Sequence, residues 1–262
     1  MTVSGKKIIK ETKYKLKNIY HNLIYFSFKK ARIKYFIVIT QERSGSTCLL
    51  DLLSSHPQIL TNPHVFFNYK KLPVNFTKEQ FIYSYKNVHG FKFRIQPYHL
   101  EYNIQNRKIA YKSLQNLIEN GVVIVHLQRE NLLKQAISYL IADTTKKQNF
   151  RKGQKPIKNT SITIEPQELI NYMKWSELSL KFERETLQEL PHVSLTYEKD
   201  LQKEEYHQIT MDKVCQALGL DSAPTITRYG RISAKKPSDY ITNYDEIVAA
   251  LHSSGYGHYL NR

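Results

Sequence analysis

The chain has 262 residues and a mass of 30.9 kDa, a size that fits one α/β domain with a short extension. Lys and Arg outnumber Asp and Glu by 39 to 23, and the net charge of +16 indicates a nucleic acid, a membrane surface or an anionic cofactor as partner. The sequence has no zinc-finger spacing and no RNA-binding aromatic signature, and no apolar run reaches the ~20 residues that span a bilayer.

The cysteines and the N-terminal segment bear on the compartment. Cys48 and Cys215 fall in apolar helical patterns, which predicts buried free thiols and a reducing compartment. No apolar core with a cleavage site follows the basic N-terminus, so we expect a cytoplasmic protein. Residues 6–30 have the pattern of a basic amphipathic helix. This helix either packs on the domain or lies on an anionic membrane, which would place the protein at the inner membrane face.

The first motif in chain order is a strand, a tight turn and a helix. The β-branched run 35–40 predicts a buried strand, and residues 47–53 have apolar side chains at helical spacing, with Ser46 or Thr47 as N-cap. This geometry aims backbone N–H groups and a helix dipole at one point, so the turn predicts a site for phosphate or sulfate. The residues of that site are Arg43, Ser44, Gly45, Ser46 and Thr47.

The turn differs from two well-known phosphate-binding loops. It has one glycine and no following lysine, so it is neither a nucleotide-kinase loop nor a dinucleotide fingerprint. The alternative interpretation is an ordinary strand–helix turn that happens to carry serines.

The rest of the chain alternates between predicted strands and helices. In order they are an extended segment 58–67 broken by Pro63, a strand 90–95, a helix 104–120, a strand 122–127, a helix 131–142, a polar loop 143–162, a helix 166–189, a strand 193–196, and helices 211–218 and 244–252. This alternation predicts an α/β fold, a central parallel sheet flanked by helices. We expect an extension over residues 1–34 and one domain over 35–262. The turns after Thr40 and Leu127 should face one crevice.

The second turn carries another set of anion-binding side chains. Arg129 follows the strand, and Ser138 lies two to three turns into the next helix, so both could reach one oxyanion. The alternative is that Arg129 pairs with Glu130 or another carboxylate.

These two motifs, in this order and spacing, resemble those of the sulfotransferase superfamily, which uses 3′-phosphoadenosine 5′-phosphosulfate (PAPS) and releases 3′-phosphoadenosine 5′-phosphate (PAP). Further matches are the segments 90–92, 196–198 and 236–243, and the most similar branch is the bacterial carbohydrate type, such as nodulation-factor and glycolipid sulfotransferases. The resemblance covers roughly residues 35–252. It implies a P-loop-kinase-like sulfotransferase fold.

The resemblance also implies roles for the cofactor-binding residues. Residues 44–47 would hold the 5′-phosphate, Arg43 would stabilise charge on the leaving oxygen, and Arg129 with Ser138 would hold the 3′-phosphate. Many members have a Trp after the first loop that stacks on adenine, where this chain has Cys48. The adenine must therefore be held otherwise, and the basic C-terminal loop is the candidate. Its residues are Arg231, Lys235 and Lys236.

The resemblance further implies a general base for the acceptor hydroxyl. Related bacterial enzymes carry Gly-Glu where this chain has Pro63 and His64, so His64 is the predicted base; the alternative is that it packs on Phe66 and Phe67. Lys92 is predicted to orient the acceptor or the sulfuryl oxygens, unless it is a strand-end lysine in solvent. Weaker candidates for the base are His56, His89 and His99.

The predicted reaction is an in-line displacement that needs no metal, with a carbohydrate or glycan hydroxyl as acceptor and no nucleic-acid partner. Two other functions remain open. One is a non-catalytic module that binds RNA or an anionic glycan, which only the net charge supports. The other is a kinase of related fold, although its phosphate-loop lysine and magnesium-binding set are absent.

Overall fold

The computed structural model describes residues 34–68, 86–95, 104–145, 161–229 and 236–260, without the side chains of 62–68, 104 and 105. Several predictions fall elsewhere. The helix over 6–30 and the residues His99, Arg231 and Lys235 lie outside the described residues, and of His64 only the backbone is described.

The described residues form five strands and six α-helices. In chain order they are β1 (Lys34–Thr40), α1 (Ser46–Ser54), β2 (Ile59–Asn68), β3 (Val88–Arg94), α2 (Ile104–Glu119), β4 (Val122–Gln128), α3 (Leu132–Thr145), α4 (Pro166–Leu187), β5 (Val193–Thr196), α5 (His207–Leu218) and α6 (Tyr244–Ser253). A single π-helical turn, Tyr197–Leu201, follows β5. No helix in this part of the chain is both long and apolar enough to cross a membrane.

The strands form one parallel sheet in the order β2-β3-β1-β4-β5, which confirms the predicted fold class. The chain leaves β1 toward the β2 edge and leaves β4 toward the β5 edge, while β1 and β4 are hydrogen-bonded neighbours. A crevice at such a reversal, outside the carboxyl ends of the strands, is where open α/β sheets bind ligands. The first and second turns, which follow β1 and β4, therefore lie side by side, as predicted.

Alternating side chains of β1 separate the core into two layers, as expected for a strand buried on both faces. Phe36 and Val38 pack with α1 and α5 on one face of the sheet. Ile37 and Ile39 pack with α2 and α4 on the other. A third apolar cluster joins α3, α4 and α6 beside the sheet. Helix α1, which follows β1, thus packs on one face of the sheet, whereas α3, which follows β4, packs on α4, a helix of the other face.

Most predicted elements are confirmed, and four details are wrong. The N-cap of α1 is Gly45 and not Ser46 or Thr47. The helix starts from the left-handed backbone of Gly45, without a hydrogen bond from a capping side chain. Cys215 is buried as predicted, but Cys48 is only half-buried beside Thr227. Helix α5 starts at His207, four residues early, since a 3-10 turn leads into it. Residues 143–145, expected to belong to a loop, are the last residues of α3.

Candidate functional site

The first turn is shaped by two left-handed residues, Arg43 with φ 60° and Gly45 with φ 90°. For a residue with a Cβ this conformation costs about 1–2 kcal/mol, so the turn must be held by its neighbours. The Ser44 hydroxyl bonds the Gln41 carbonyl oxygen at 2.8 Å and contacts the Thr40 hydroxyl. Gly45 is the N-cap of α1 and supplies no side-chain hydrogen bond to the first amides of the helix. Backbone N–H groups at a helix N-terminus suit an anion.

Gly45 is required for a second reason. A Cβ at this position would lie 2.5 Å from Cδ2 of Tyr197, which is too close for any side chain. The turn after β5 therefore packs directly against the first turn.

Three cationic side chains meet at the first turn from three different strands or turns. Nε of Arg43 donates to Oγ of Ser138 at 3.0 Å, Nζ of Lys92 donates to Oγ1 of Thr47 at 2.9 Å, and Nη1 of Arg129 donates to the Arg43 carbonyl oxygen at 2.8 Å. Lys92 is only 4% exposed, which rules out a strand-end lysine in solvent. The first and second motifs, which were predicted to hold two separate anionic groups, are in contact here.

Two carboxylates partly balance this charge. Glu42 accepts from Nη2 of Arg94 at 2.7 Å, and Oε1 of Glu198 lies 3.8 Å from Nε of Arg129. Among the described residues, the four cations Arg43, Lys92, Arg94 and Arg129 against these two carboxylates leave a formal charge of +2.

Burial and mutual repulsion act on the same cations. Burial, followed by the neighbouring Arg129, lowers the pKa of Arg43. Burial first, and then the charge of Arg43, lowers the pKa of Lys92 to about 8. Burial also lowers the pKa of Arg129, while Tyr197 and Glu198 oppose that change. Desolvated like charges favour binding of an anion, because an opposite charge stabilises each of them.

The second turn is built differently. The carboxylate of Glu198 accepts from the backbone N–H of Glu130 at 3.0 Å and of Asn131 at 3.1 Å. Oδ1 of Asn131 accepts from the backbone N–H of Lys134 at 2.8 Å. The Arg129 guanidinium carbon lies 4.6 Å from the Tyr197 ring centroid, a cation–π distance. The N-terminus of α3 is thus satisfied by the protein's own side chains. Of the two alternatives for Arg129, a carboxylate partner is present, and it is Glu198.

The predicted bases are placed in different ways. The backbone of His64 lies where the pairing of β2 with β3 shifts register, between Asn62 opposite Phe91 and Phe66 opposite Lys92. His64 therefore lies in the stretch of β2 that leads to the position paired with Lys92.

The two weaker histidine candidates in the described chain are occupied. Both ring nitrogens of His56 are bonded to backbone, Nε2 with the Asp221 carbonyl oxygen and Nδ1 with the Gln58 N–H, each at 3.1 Å. His89 is fully buried, with Nε2 2.8 Å from the Lys86 carbonyl oxygen. Both have structural roles.

Among the C-terminal candidates, Lys236 is described. It is exposed and starts a 3-10 turn, where its backbone N–H bonds Oδ2 of Asp239 at 3.0 Å. Arg231 and Lys235 lie in the part of the chain that the structure does not describe.

The sequence motifs did not identify Glu42, Arg94 and Tyr197 as site residues. Glu42 precedes Arg43, and Arg94 lies two residues after Lys92. The available signal was that these two residues of opposite charge each lie close in sequence to a predicted site residue. Tyr197 belongs to a segment that the resemblance already matched, but its contact with Gly45 depends on tertiary packing.

A scan of protein-family models and a search of curated proteins each found no match for this chain. Among solved structures, the chain is similar to the crystal structure of a sulfotransferase from Alicyclobacillus acidocaldarius. The identity is 13% and the TM-score 0.47, over 88% of this chain and 97% of the other. The function proposed below therefore rests on the residues of the site and not on this likeness.

Proposed function

We propose that this protein is a sulfotransferase that moves a sulfuryl group from PAPS to a hydroxyl of an acceptor. The observation that supports this most is the meeting of Arg43, Lys92 and Arg129 at the uncapped N-terminus of α1. A helix N-terminus with excess positive charge suits an oxyanion such as a phosphosulfate.

The hydrogen-bond donors of the site fit such a ligand. Backbone N–H groups at the start of α1, with Lys92 and Arg43, would hold the 5′-phosphosulfate. Oγ of Ser138 accepts from Arg43, so its own proton is left to donate toward the 3′-phosphate. Arg129 uses Nη1 for the Arg43 carbonyl oxygen and retains a second Nη for the same phosphate.

PAPS supplies a sulfuryl group attached to a phosphate leaving group. In the transfer, the acceptor oxygen bonds to sulfur, the bond from sulfur to the phosphate oxygen breaks, and its electron pair remains on the phosphate. Arg43 and Lys92 stabilise that growing negative charge. His64 takes the hydroxyl proton in this proposal, which its position in β2 beside β3 supports.

The acceptor in this proposal is a carbohydrate or glycan hydroxyl, as in the bacterial sulfotransferases that the motifs resemble. The kinase alternative is less well supported by the site. In kinase loops the Ser or Thr after the lysine binds magnesium, whereas here the Thr47 hydroxyl accepts from the ammonium group of Lys92.

The test is incubation of the protein with ³⁵S-labelled PAPS and a panel of glycans, phenols and lipids. We expect transfer of label to a hydroxyl-bearing glycan, and loss of transfer in Arg43→Ala but not in the exposed control Lys203→Ala. In His64→Ala, kcat should fall by roughly 10²–10⁴-fold with donor affinity unchanged. Magnesium-dependent ATP turnover without label transfer would favour the kinase instead.

A further inference from the structure

Two buried glutamines lie behind the first turn, and neither belongs to the proposed donor-binding set. Gln135 of α3 is 1% exposed, and its Nε2 donates to the Glu42 carbonyl oxygen at 2.8 Å and to Oε1 of Gln41 at 3.3 Å. Gln41 is 5% exposed, and its Nε2 donates to the Ser176 carbonyl oxygen of α4 at 3.1 Å. A chain of amides therefore links α4, the first turn and α3.

Burial of two amide side chains costs free energy unless their polar groups are hydrogen-bonded. A buried amide needs partners for its hydrogens, whereas an apolar side chain of the same size would fill the space without that requirement. Here Nε2 of each glutamine donates to a backbone carbonyl oxygen, and the one that accepts from Gln135 lies in the turn itself. Buried hydrogen bonds of this kind restrict the groups that they join to one arrangement.

The backbone that Gln135 holds is the strained part of the turn. In the part of the chain that the structure describes, Arg43 is the one residue other than glycine with positive φ. The carbonyl oxygens on either side of this residue are both held from the second motif, that of Glu42 by Gln135 and that of Arg43 by Arg129. Two consecutive peptide groups are thus fixed by side chains from outside the turn.

We propose that Gln135, acting through the Glu42 carbonyl oxygen and with Gln41 as its partner, is a positioning residue that keeps the first turn in its anion-binding conformation. It does not touch the ligand. The part of this inference that concerns PAP rests on the proposed function; the part that concerns the turn does not.

The first experiment needs no ligand. Hydrogen exchange of the intact protein is compared among wild type, Gln135→Leu and a matched control, Gln208→Leu. Gln208 also bonds backbone and side chains, to Asp212, Ala223 and Thr225, but on α5 and away from the turn. The Leu49 amide donates to the Gly45 carbonyl oxygen of the turn at 3.1 Å, so its protection depends on the conformation of the turn. We expect this amide to exchange about tenfold faster in Gln135→Leu only.

The second experiment measures PAP affinity. Gln135→Leu should weaken it about tenfold, and Gln41→Leu should add little in the double variant because the two amides act as one unit. Gln135→Glu gives a sharper readout. An ionised carboxylate cannot donate to the Glu42 carbonyl oxygen, but a protonated one can. The PAP affinity of Gln135→Glu, relative to wild type, should therefore recover as the pH is lowered from about 8 to about 5.

The outcomes are separable. Unchanged exchange of the Leu49 amide in Gln135→Leu overturns the positioning role, whatever the ligand is. Faster exchange with no PAP binding by wild type keeps that role and overturns the proposed function. Equal loss of PAP affinity in Gln135→Leu and Gln208→Leu, or a Gln135→Glu variant with a wild-type pH profile, also contradicts the inference.

Discussion

The two strand–turn–helix units beside the crevice have the same topology but opposite solutions for the helix N-terminus. After β1, the chain turns through left-handed Arg43 and Gly45, and α1 begins without a side-chain cap. After β4, the carboxylate of Glu198 bonds the backbone N–H of Glu130 and Asn131. The first N-terminus has no side-chain bond from its N-cap, whereas the protein's own carboxylate occupies the second.

The difference shows that one strand–turn–helix topology permits two arrangements at the helix N-terminus, and that the side chains around each turn determine which one forms. The resemblance to sulfotransferases implied that the second motif binds the 3′-phosphate. In the structure its Arg129 and Ser138 contact Arg43, and so also support the first turn. Four predictions test this contrast, starting with the largest expected effect.

The first turn should be intolerant of any side chain at Gly45. Gly45→Ala combines left-handed strain with a Cβ 2.5 Å from the Tyr197 ring, and should lower the free energy of unfolding by about 2–4 kcal/mol. Gly121→Ala is the matched control, because Gly121 has φ 81° and no atom within 4 Å of an added Cβ. That control should lose only about 1–2 kcal/mol in urea unfolding. Equal losses would mean that the contact with Tyr197 has no energetic weight.

The second turn should depend on the charge of Glu198. Glu198→Gln removes the carboxylate that bonds two backbone N–H groups and lies beside Arg129, and should cost about 1–2 kcal/mol of unfolding free energy. The control Glu130→Gln breaks only the exposed pair with Lys199 and should stay within about 0.5 kcal/mol. If both variants match wild type in thermal unfolding, the cap is not what stabilises this turn.

Because of Lys92, the stability of the free protein and its affinity for PAP should change in opposite directions as pH rises. Its pKa is about 8 in the folded protein and 10.5 in the unfolded chain, so the unfolded state binds more protons between these values. Without ligand, stability contributed by this group therefore rises as pH increases from 8 to 10.5. PAP affinity should fall over the same window, because the ammonium group that faces the anion is lost.

The control for this pH effect is Lys92→Arg, which keeps the charge but does not titrate in that range. Calorimetric titration at several pH values should show a flat profile for this variant between pH 8 and pH 10. A wild-type profile that is equally flat would show that Lys92 does not face the bound anion.

The sequence was sufficient for the fold because its strands are marked locally. The β-branched runs of β1 and β4 are flanked by polar turns, and alternation with helices predicts a parallel sheet. Helix ends were harder. At α1 the serine and threonine favoured a side-chain N-cap, but the positive φ of Gly45 determines the start. At α5 no capping residue or proline separates the helix from the 3-10 turn before it.

The site could be predicted in part. Arg43, Lys92, Arg129 and Ser138 were identified from motifs, and the structure brings all four together. Their partners could not be read from local pattern, because Gln135 and Glu198 reach the turns only after α3 and β5 have packed on the sheet. Burial of Lys92 has the same origin, since it depends on the strands on either side of β3.

The most direct test of the central claim compares PAP with AMP, which lacks the 3′-phosphate. A ligand that binds only the native state raises the melting temperature by mass action, so PAP should stabilise the protein well above AMP at the same concentration. Arg129→Ala should weaken PAP binding by roughly 1.5–3 kcal/mol, the range for hydrogen bonds to charged groups. No stabilisation by PAP would contradict the proposed sulfotransferase site. Equal stabilisation by PAP and AMP would remove the second motif from it.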